Sequence, residues 1–316
     1  MAEELSAERQ QRRLEKEERI KHRVLVTGAN GTVGRALVKR LVDDGWQVRG
    51  LVRSEAAAKE LEGSGAEVVV GAIDNAGTLR KCVTDVATVF HLVGSMEEMD
   101  EDKAEFANSI STYKLAIAAN VSAAPRLIFL SVLGASPGST NLFLRTKGRG
   151  EQAIIMNLRN HIILRSSYIL APGSALLRAA DALLGKPKAM LFGAGDQQIQ
   201  PIALDDVIEY LVEAMGYAEP LTKIVEIGGA DRVGVRAFFE KVAALRGKSF
   251  NPRFAPASLA KPATWLARKF GMTSDLSPTI LDLLAHEATA DLRKTSAILG
   301  HKPKGLDAAL KEALGV

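Results

Sequence analysis

The chain has 316 residues, room for one large domain or two smaller ones, and its 47% hydrophobic and 25% charged content is that of an ordinary globular protein. A net charge of +4, spread along the chain, argues against a nucleic-acid footprint, and a single cysteine, Cys82, excludes an intrachain disulfide and suits a reducing compartment. No apolar run is long enough to span a bilayer, so the expectation is a soluble, cytoplasmic protein, with peripheral attachment to a membrane or a complex as the alternative.

Residues 1–22 lack the apolar core of a secretory signal. Their Glu and Arg/Lys residues lie three or four apart, which predicts a charged, exposed helical extension. From residue 23 the pattern changes. "RVLVTGANGTVGRALVKRLVDDGWQVRGLVRS" reads strand, glycine turn, helix, strand, with Val33, Ala36, Leu37, Val38, Leu41 and Val42 at helical spacing. Then come "EVVVGAI" (strand), "AGTLRKCV" (helix), "ATVFHLVG" (strand), "EFANSISTYKLAIAANV" (helix), "RLIFLSVLG" (strand), "TKGRGEQAIIMN" (helix) and "HIILRSSYIL" (strand). Such alternation predicts an α/β fold, a doubly wound parallel sheet covered on both faces. Near-continuous apolar strands fit that burial. Cys82, in a helical apolar context, reads as a small core residue.

After Pro172 the pattern loosens. "ALLRAADALLG" predicts a helix, followed by a loop or short strand. "LDDVIEYLVEAM" is a helix with Asp205 or Asp206 near its start, and "TKIVEIGG" is a strand. "VGVRAFFEKVAALRG" and the Ala/Leu-rich stretch 257–316 read as helical. The expected organisation is a nucleotide-binding domain at 23–173 and 203–228, and a smaller, mostly helical lobe for a substrate or partner at 174–202 and 229–316.

The strongest motif is "TGANGTVG". Gly28 permits a tight turn, Gly31 lets the backbone approach a pyrophosphate, and Gly34 lets the helix pack closely on the strand. Thr27, Asn30, Thr32 and Val33 complete the turn, and phosphates would meet free N–H groups at the helix start. A glycine triplet also occurs in plain tight turns, but its place in the first βαβ unit is the confirming context. The second strand ends in Val52 and Arg53, where an acidic residue would favour NAD. With no carboxylate to repel it, a 2′-phosphate can pair with Arg53, so NADP(H) is favoured over NAD(H). Arg35 is a second candidate cation; solvated arginines are the alternative.

These residues resemble the short-chain dehydrogenase/reductase superfamily in its extended or atypical branches, from about residue 23 to the C-terminus. The resemblance implies a Rossmann dinucleotide fold. It puts Ile73 and Asp74 beside the adenine, with Ala72 where the family has Asp, and Leu92, Val93 and Gly94 of "VFHLVGS" beside the ribose and pyrophosphate. Asn108 and Thr112 match the family's N-x-x-x-T. Ser131 falls near the nicotinamide, as does Ser166, which replaces the usual proline. "QPIALDDV" and "VEIGG" match later landmarks of the extended branch.

The family's catalytic pair is Tyr-x-x-x-Lys, one turn apart on a helix so that both side chains face the cleft. Its tyrosine is the general acid/base; its lysine bonds the nicotinamide ribose and lowers the tyrosine pKa. Here the positions hold Phe143 and Lys147, and none of Tyr113, Tyr168, Tyr210 or Tyr217 has a lysine four residues later. Lys147 and Ser131 are the remaining catalytic candidates, although Val132 and Leu133 follow Ser131.

Within the superfamily, "FHLVGS", "LFLRTKGRGEQAI" and "LLAHEATADLRKTSAILGHKPKGLDAALKEAL" resemble the branch of the nucleotide-binding accessory subunit of respiratory complex I. That resemblance implies tight NADPH binding without evident turnover, and association with respiratory or photosynthetic membranes or with quinone chemistry. Three readings stay open. The chain holds a structural or redox-sensing NADP(H) and docks a partner. It is an oxidoreductase on a small hydrophobic, quinone- or enone-like molecule, with Lys147, Asp206, Tyr168 or water supplying the proton. Or it is a peripheral membrane or assembly module, through Trp265, Leu266 and Phe270 beside Lys261, Arg268 and Lys269, a stripe that more often packs on its own core. His22, His91, His161, His286 and His301 have no metal-ligand spacing, His91 reads as core or ribose packing, and no G-x-S-x-G elbow exists.

Overall fold

The short β-branched runs form strands buried on both faces, and they set the frame for everything else. The computed structural model describes residues 22–96, 100–122, 126–216, 222–259, 262 and 278–316. The N-terminal extension short of His22, the stripe of Trp265, Leu266 and Phe270 with its lysines and arginine, and Tyr217 lie outside the described residues.

Strands β1 (Arg23–Thr27), β2 (Gln47–Val52), β3 (Glu67–Val70), β4 (Thr88–His91), β5 (Arg126–Val132) and β6 (His161–Ser166) join a later strand, β11 (Thr222–Ile227), in a 7-stranded sheet. Its order is β3-β2-β1-β4-β5-β6-β11 and every pairing is parallel. Strand order reverses between β1 and β4, so a crevice opens past the C-terminal ends of those strands, at Thr27 and His91.

Helix α1 (Thr32–Asp43) and α7 (Leu204–Met215) cover one face, packing Leu37, Leu41, Val207 and Leu211 on the strands. The other face carries α3 (Ala76–Val83), α4 (101–121) and α5 (Leu142–Asn157), with Leu79, Leu115, Phe129 and Ile154 in their core. Cys82 is buried there. Helix α4 runs through Glu101–Glu105, a π-helical turn at Phe106–Ile110, and Ser111–Val121. A short helix, α2 (Glu55–Lys59), was not expected; Ser54 caps it by accepting from Ala57 N–H.

The remaining pieces build a further core. Leu176 and Leu183 of α6 (Ala175–Leu183), Phe238 and Phe239 of α8 (Val235–Leu245), Leu284 of α9 (Pro278–Leu284) and Leu310 of α11 (Leu306–Leu314) meet there. This region is less helical than its composition predicts. It contains three small strand pairs: β7 (Ile169–Leu170) with β10 (Ile202–Ala203), β8 (Ala189–Phe192) with β13 (Pro252–Ala255), and β9 (Gln198–Ile199) with β12 (Val233–Gly234). The tail is not one helical stretch. Between α9 and α10 (Leu292–Ser296) it runs extended: Ala288 N–H donates to Gln198 O, and Ala290 N–H donates to Gln200 Oε1.

Asp206 anchors this tail. It is buried at the start of α7 and accepts from His301 Nε2 at 2.8 Å and from Lys304 N–H at 2.9 Å. Tyr210 Oη donates to His301 O at 3.2 Å. Both acceptor oxygens of Asp206 are therefore committed away from the crevice. The structure removes it from the candidate proton sources.

Candidate nucleotide site and adjoining cavity

Gly28 ends β1 with φ of 71°. A Cβ there would lie 3.1 Å from both Leu92 C and Val93 N, so the glycine lets the turn press against the segment leaving β4. A Cβ on Gly34 would run into Gly28 O and stand 2.8 Å from Ala29 C, so this position seats α1 on the turn. Gly31 differs: a Cβ there would meet only Gly28 O, at 3.3 Å, leaving space above it. No side chain caps α1 and no acidic residue occupies its first turn. The N–H groups of Thr32, Val33 and Gly34 lack intrahelical acceptors and form a ready anion cradle, the donor chemistry that a pyrophosphate requires.

Past the end of β2, Val52 is buried and Arg53 exposed, with no ion pair to Arg53 among the described residues. Arg35 is already engaged. Its Nη1 donates to Asn30 O and to Glu60 Oε2, each at 2.7 Å, because the unexpected helix α2 brings Glu60 across. Ile73 and Asp74 follow β3, with Lys114 Nζ 4.0 Å from the Asp74 carboxylate.

At the other end lies Lys147, only 4% exposed. Its Nζ donates to Leu130 O at 2.7 Å and sits 4.0 Å from the Phe129 ring centroid. Burial lowers its pKa from 10.5 to about 7, with the charge of Glu151 opposing. Gly94 lies against it: a Cβ there would be 3.3 Å from Lys147 Nζ and 3.0 Å from Asn108 Oδ1. Asn108 holds this segment by accepting from Ser95 N–H and donating to Ser95 O, and it also donates to Thr146 Oγ1.

Beneath runs a buried chain of hydrogen bonds. Thr112 Oγ1 donates to Asn108 O at 2.9 Å, so it accepts from His91 Nε2, also at 2.9 Å. His91 Nδ1 then accepts from Thr27 Oγ1 at 2.7 Å. Burial, reinforced by the charge of Lys147, lowers the His91 pKa to about 3, so the ring is neutral. It stacks on Phe129 at 5.2 Å. His91 thus has packing and network partners on both nitrogens.

Ser131 has a different neighbourhood from the one expected for a catalytic hydroxyl. Its Oγ donates to Glu151 Oε1 at 2.5 Å, and Glu151 is 3% exposed. Arg165 grips the same carboxylate, with Nη2 at 2.6 Å from Oε2 and Nε at 2.9 Å from Oε1, and this pairing raises the Arg165 pKa. Ser131 and Arg165 are register neighbours on β5 and β6.

A cavity of about 480 Å³ adjoins this end. Thr32, Val33, Leu92, Gly94, Ser131, Lys147 and Ser166 line it, so seven of the expected site residues come together there. Thr27, Gly28, Asn30, Gly31 and Gly34 build the turn at its edge and Val93 lies against that turn, whereas Arg53, Ile73 and Asp74 stand apart past the ends of β2 and β3. Phe143, Leu133, Leu144, Met96, Leu176 and Leu283 make much of the wall apolar. Tyr168 also lines it, but burial and the nearby Asp282 push its phenol pKa well above the ordinary value. The Ser166 hydroxyl donates to Ser167 O. Asp282 and His286 were missed from sequence; Asn141 Nδ2 reaches Asp282 Oδ2 at 2.6 Å across a long sequence gap that no local pattern signals. Among the described residues no group of His, Cys, Asp and Glu could hold a metal, and no helix is long and apolar enough to cross a membrane.

The sheet order, the glycine turn at its reversal and the uncapped helix start define an NAD(P)-binding Rossmann protein. Residues 28–168 match a family model described as NAD(P)H-binding. Relatives include NADH dehydrogenase [ubiquinone] 1 alpha subcomplex subunit 9, mitochondrial, of Arabidopsis thaliana, 29% identical over 65% of this chain and 53% of that protein. The chain therefore spans about half the length of that relative. The photosystem II assembly factor Ycf39 of Guillardia theta is 23% identical over 90% of each chain, and the ceramide reductase of Caulobacter vibrioides is 26% identical over 67% of this chain and 66% of that one. Among solved structures, MoeE5 in complex with UDP-glucuronic acid and NAD shares the fold, with a TM-score of 0.72 at 21% identity over 92% of this chain and 97% of that chain. These likenesses agree with the resemblance to the atypical short-chain dehydrogenase/reductase proteins.

The Lys147 geometry has a consequence for stability. Between pH 7 and 10.5 the unfolded chain holds a proton on Lys147 that the folded chain has released, so stability rises with pH across that window. In urea titrations of nucleotide-free protein, wild-type stability relative to Lys147→Met should climb by up to about 1.4 kcal/mol per pH unit. A difference that stays flat would contradict the buried ammonium.

Proposed function

We propose that this protein holds NADP(H) as a structural or redox-sensing cofactor and presents its smaller lobe to a partner. The observation that carries the reading is Phe143. It lines the cavity one turn before Lys147, where a Tyr-Lys enzyme needs its ionisable phenol. Leu133 adds an apolar wall, and the Ser131 hydroxyl is occupied by Glu151. In this reading the glycine turn takes the pyrophosphate, Lys147 gives up its bond to Leu130 O to hold the nicotinamide ribose, and Arg53 takes the 2′-phosphate. The bound nicotinamide would supply hydride chemistry; the residues around it hold it without offering a phenolic proton. The names of the mitochondrial subunit and the photosystem II assembly factor support a protein partner.

A second reading rests on the pKa of about 7 at Lys147. An ammonium so close to neutrality can deliver a proton at physiological pH. With the apolar cavity beside it, that would suit reduction of a quinone- or enone-like molecule.

Two measurements separate the possibilities. Lys147→Met should speed nucleotide loss from a holding protein that shows no acceptor-dependent oxidation to begin with. In an oxidoreductase the same change should lower turnover by on the order of 100-fold or more while nucleotide still binds. Unchanged nucleotide retention contradicts the proposed role of Lys147. Arg53→Glu should weaken NADPH binding far more than NADH binding, read by fluorescence titration of each; equal effects would remove Arg53 from the 2′-phosphate site.

A further inference from the structure

Holding a nucleotide employs the glycine turn and Lys147. It leaves two polar groups of the cavity wall without a task, Tyr168 and Asp282. Tyr168 stands between β6 and β7 on a backbone fixed from both sides: Ser167 N–H donates to Ile227 O and Ile202 N–H donates to Tyr168 O, each at 2.9 Å. Its half-buried ring packs on the core of the smaller lobe, and burial raises the phenol pKa, so the hydroxyl is surrounded by protein and keeps its proton. No described protein group bonds to that hydroxyl. Nor is it sealed off, because the unpartnered side-chain atoms cut off from solvent among the described residues are Arg49 Nε and Ser174 Oγ. A hydroxyl inside the protein, unbonded yet accessible, opens on the cavity that its residue lines.

Asp282 faces the same space. Its charge adds to the rise in the Tyr168 pKa, with no hydrogen bond between the two. Leu281 and Leu283, buried on either side, hold this part of α9 in place. Asn141 caps α5 by accepting from Leu144 N–H through Oδ1, which leaves its Nδ2 to donate to Asp282 Oδ2 at 2.6 Å. The second carboxylate oxygen, Oδ1, takes no hydrogen bond from a described residue. Tyr168 and Asp282 therefore offer one donor beside one acceptor.

The rest of the chamber limits what can use them. Met96, Leu133, Phe143, Leu144, Leu176 and Leu283 make an apolar wall. Arg178, His286 and Glu287 are exposed and stand where the cavity meets solvent. Inside, an anionic ligand would face Asp282 and a cationic one Lys147, so a neutral molecule fits best. A hydrocarbon of the same shape would strip water from both polar groups and return no hydrogen bond, which weakens its binding.

We infer that the cavity takes a neutral, apolar molecule bearing a carbonyl that accepts from Tyr168 Oη and a hydroxyl or N–H that donates to Asp282 Oδ1. The inference rests on the cavity beside the nucleotide being a ligand site, as the oxidoreductase reading has it, but it requires no turnover. Tyr168 recognises the ligand and holds its own proton throughout.

The test is a ligand-observed NMR titration of the full chain loaded with NADP⁺, which has no hydride to give. The probes share one shape: tetralin, 1-tetralone and 4-hydroxy-1-tetralone. Affinity should rise in that order. Tyr168→Phe should lower affinity for both ketones by about 5- to 10-fold and leave tetralin unchanged, so that tetralin reports an intact pocket. Asp282→Asn keeps an oxygen for Asn141 and should erase the advantage of 4-hydroxy-1-tetralone over 1-tetralone. Ketones that bind wild type no better than tetralin would overturn the inference, as would a preference for ketones that survives Tyr168→Phe. Should Tyr168→Phe disturb the pocket and weaken tetralin too, Asp282→Asn decides, and an undiminished preference for the hydroxyl-bearing probe then sinks the idea. With NADPH in place of NADP⁺, Tyr168-dependent binding beside a cofactor that stays reduced supports the ligand site and removes the oxidoreductase reading alone.

Discussion

An ammonium withdrawn from water costs several kcal/mol unless it is compensated, and Lys147 is such a group. The cleft is arranged around it. Leu130 O accepts a hydrogen bond from it, the Phe129 ring lies against it, and the charge of Glu151 opposes the effect of burial. Glu151 is itself buried and held by Arg165, so the helix that carries Lys147 is pinned to β6 as well as β5. His91, neutral and bonded on both sides, adds no second positive charge beneath the lysine. These contacts place a buried lysine against the cavity beside the glycine turn.

Seen this way, Phe143 is compatible with its surroundings rather than a lone defect. A tyrosine at that position would draw on Lys147 to lower its pKa and would need a polar outlet for its proton. The wall beside it is Leu133, Leu144 and Leu176, and the nearby phenol, Tyr168, is pushed away from ionisation by burial. Binding and proton transfer depend on different atoms of the same motif. The cavity that Phe143 and Lys147 line sets Leu133, Leu144 and Leu176 in its wall beside polar groups such as Asn141, Asp282 and His286.

Much of this was legible in the sequence because it is local. The glycine turn, the buried strands and the one-turn spacing of Phe143 and Lys147 are periodic or contiguous signals. What sequence reading missed depends on register and long loops. Ser131 reads as a free hydroxyl until β5 and β6 align and bring Arg165 and Glu151 to it. Asp206 reads as a candidate acid until the tail folds back and His301 and Lys304 take both its oxygens. Arg35 reads as a phosphate ligand until α2 carries Glu60 across to it. The tail composition favours helix throughout, but tertiary pairing with Gln198 and Gln200 holds its middle extended. Gly150 sits inside α5 at a cost in helix propensity, which makes sense only once the close approach of Asn108 O is seen.

The central claim is that the site grips a reduced dinucleotide without turning it over. The most direct test begins with the protein as purified. Any nucleotide released on denaturation is identified by mass, and the near-ultraviolet absorbance of the reduced cofactor in the native protein is followed as quinones and enones are added. The account predicts NADPH that stays bound and stays reduced. Acceptor-dependent oxidation that added NADPH renews would contradict it, and would make Lys147 the first residue to examine as the source of the proton.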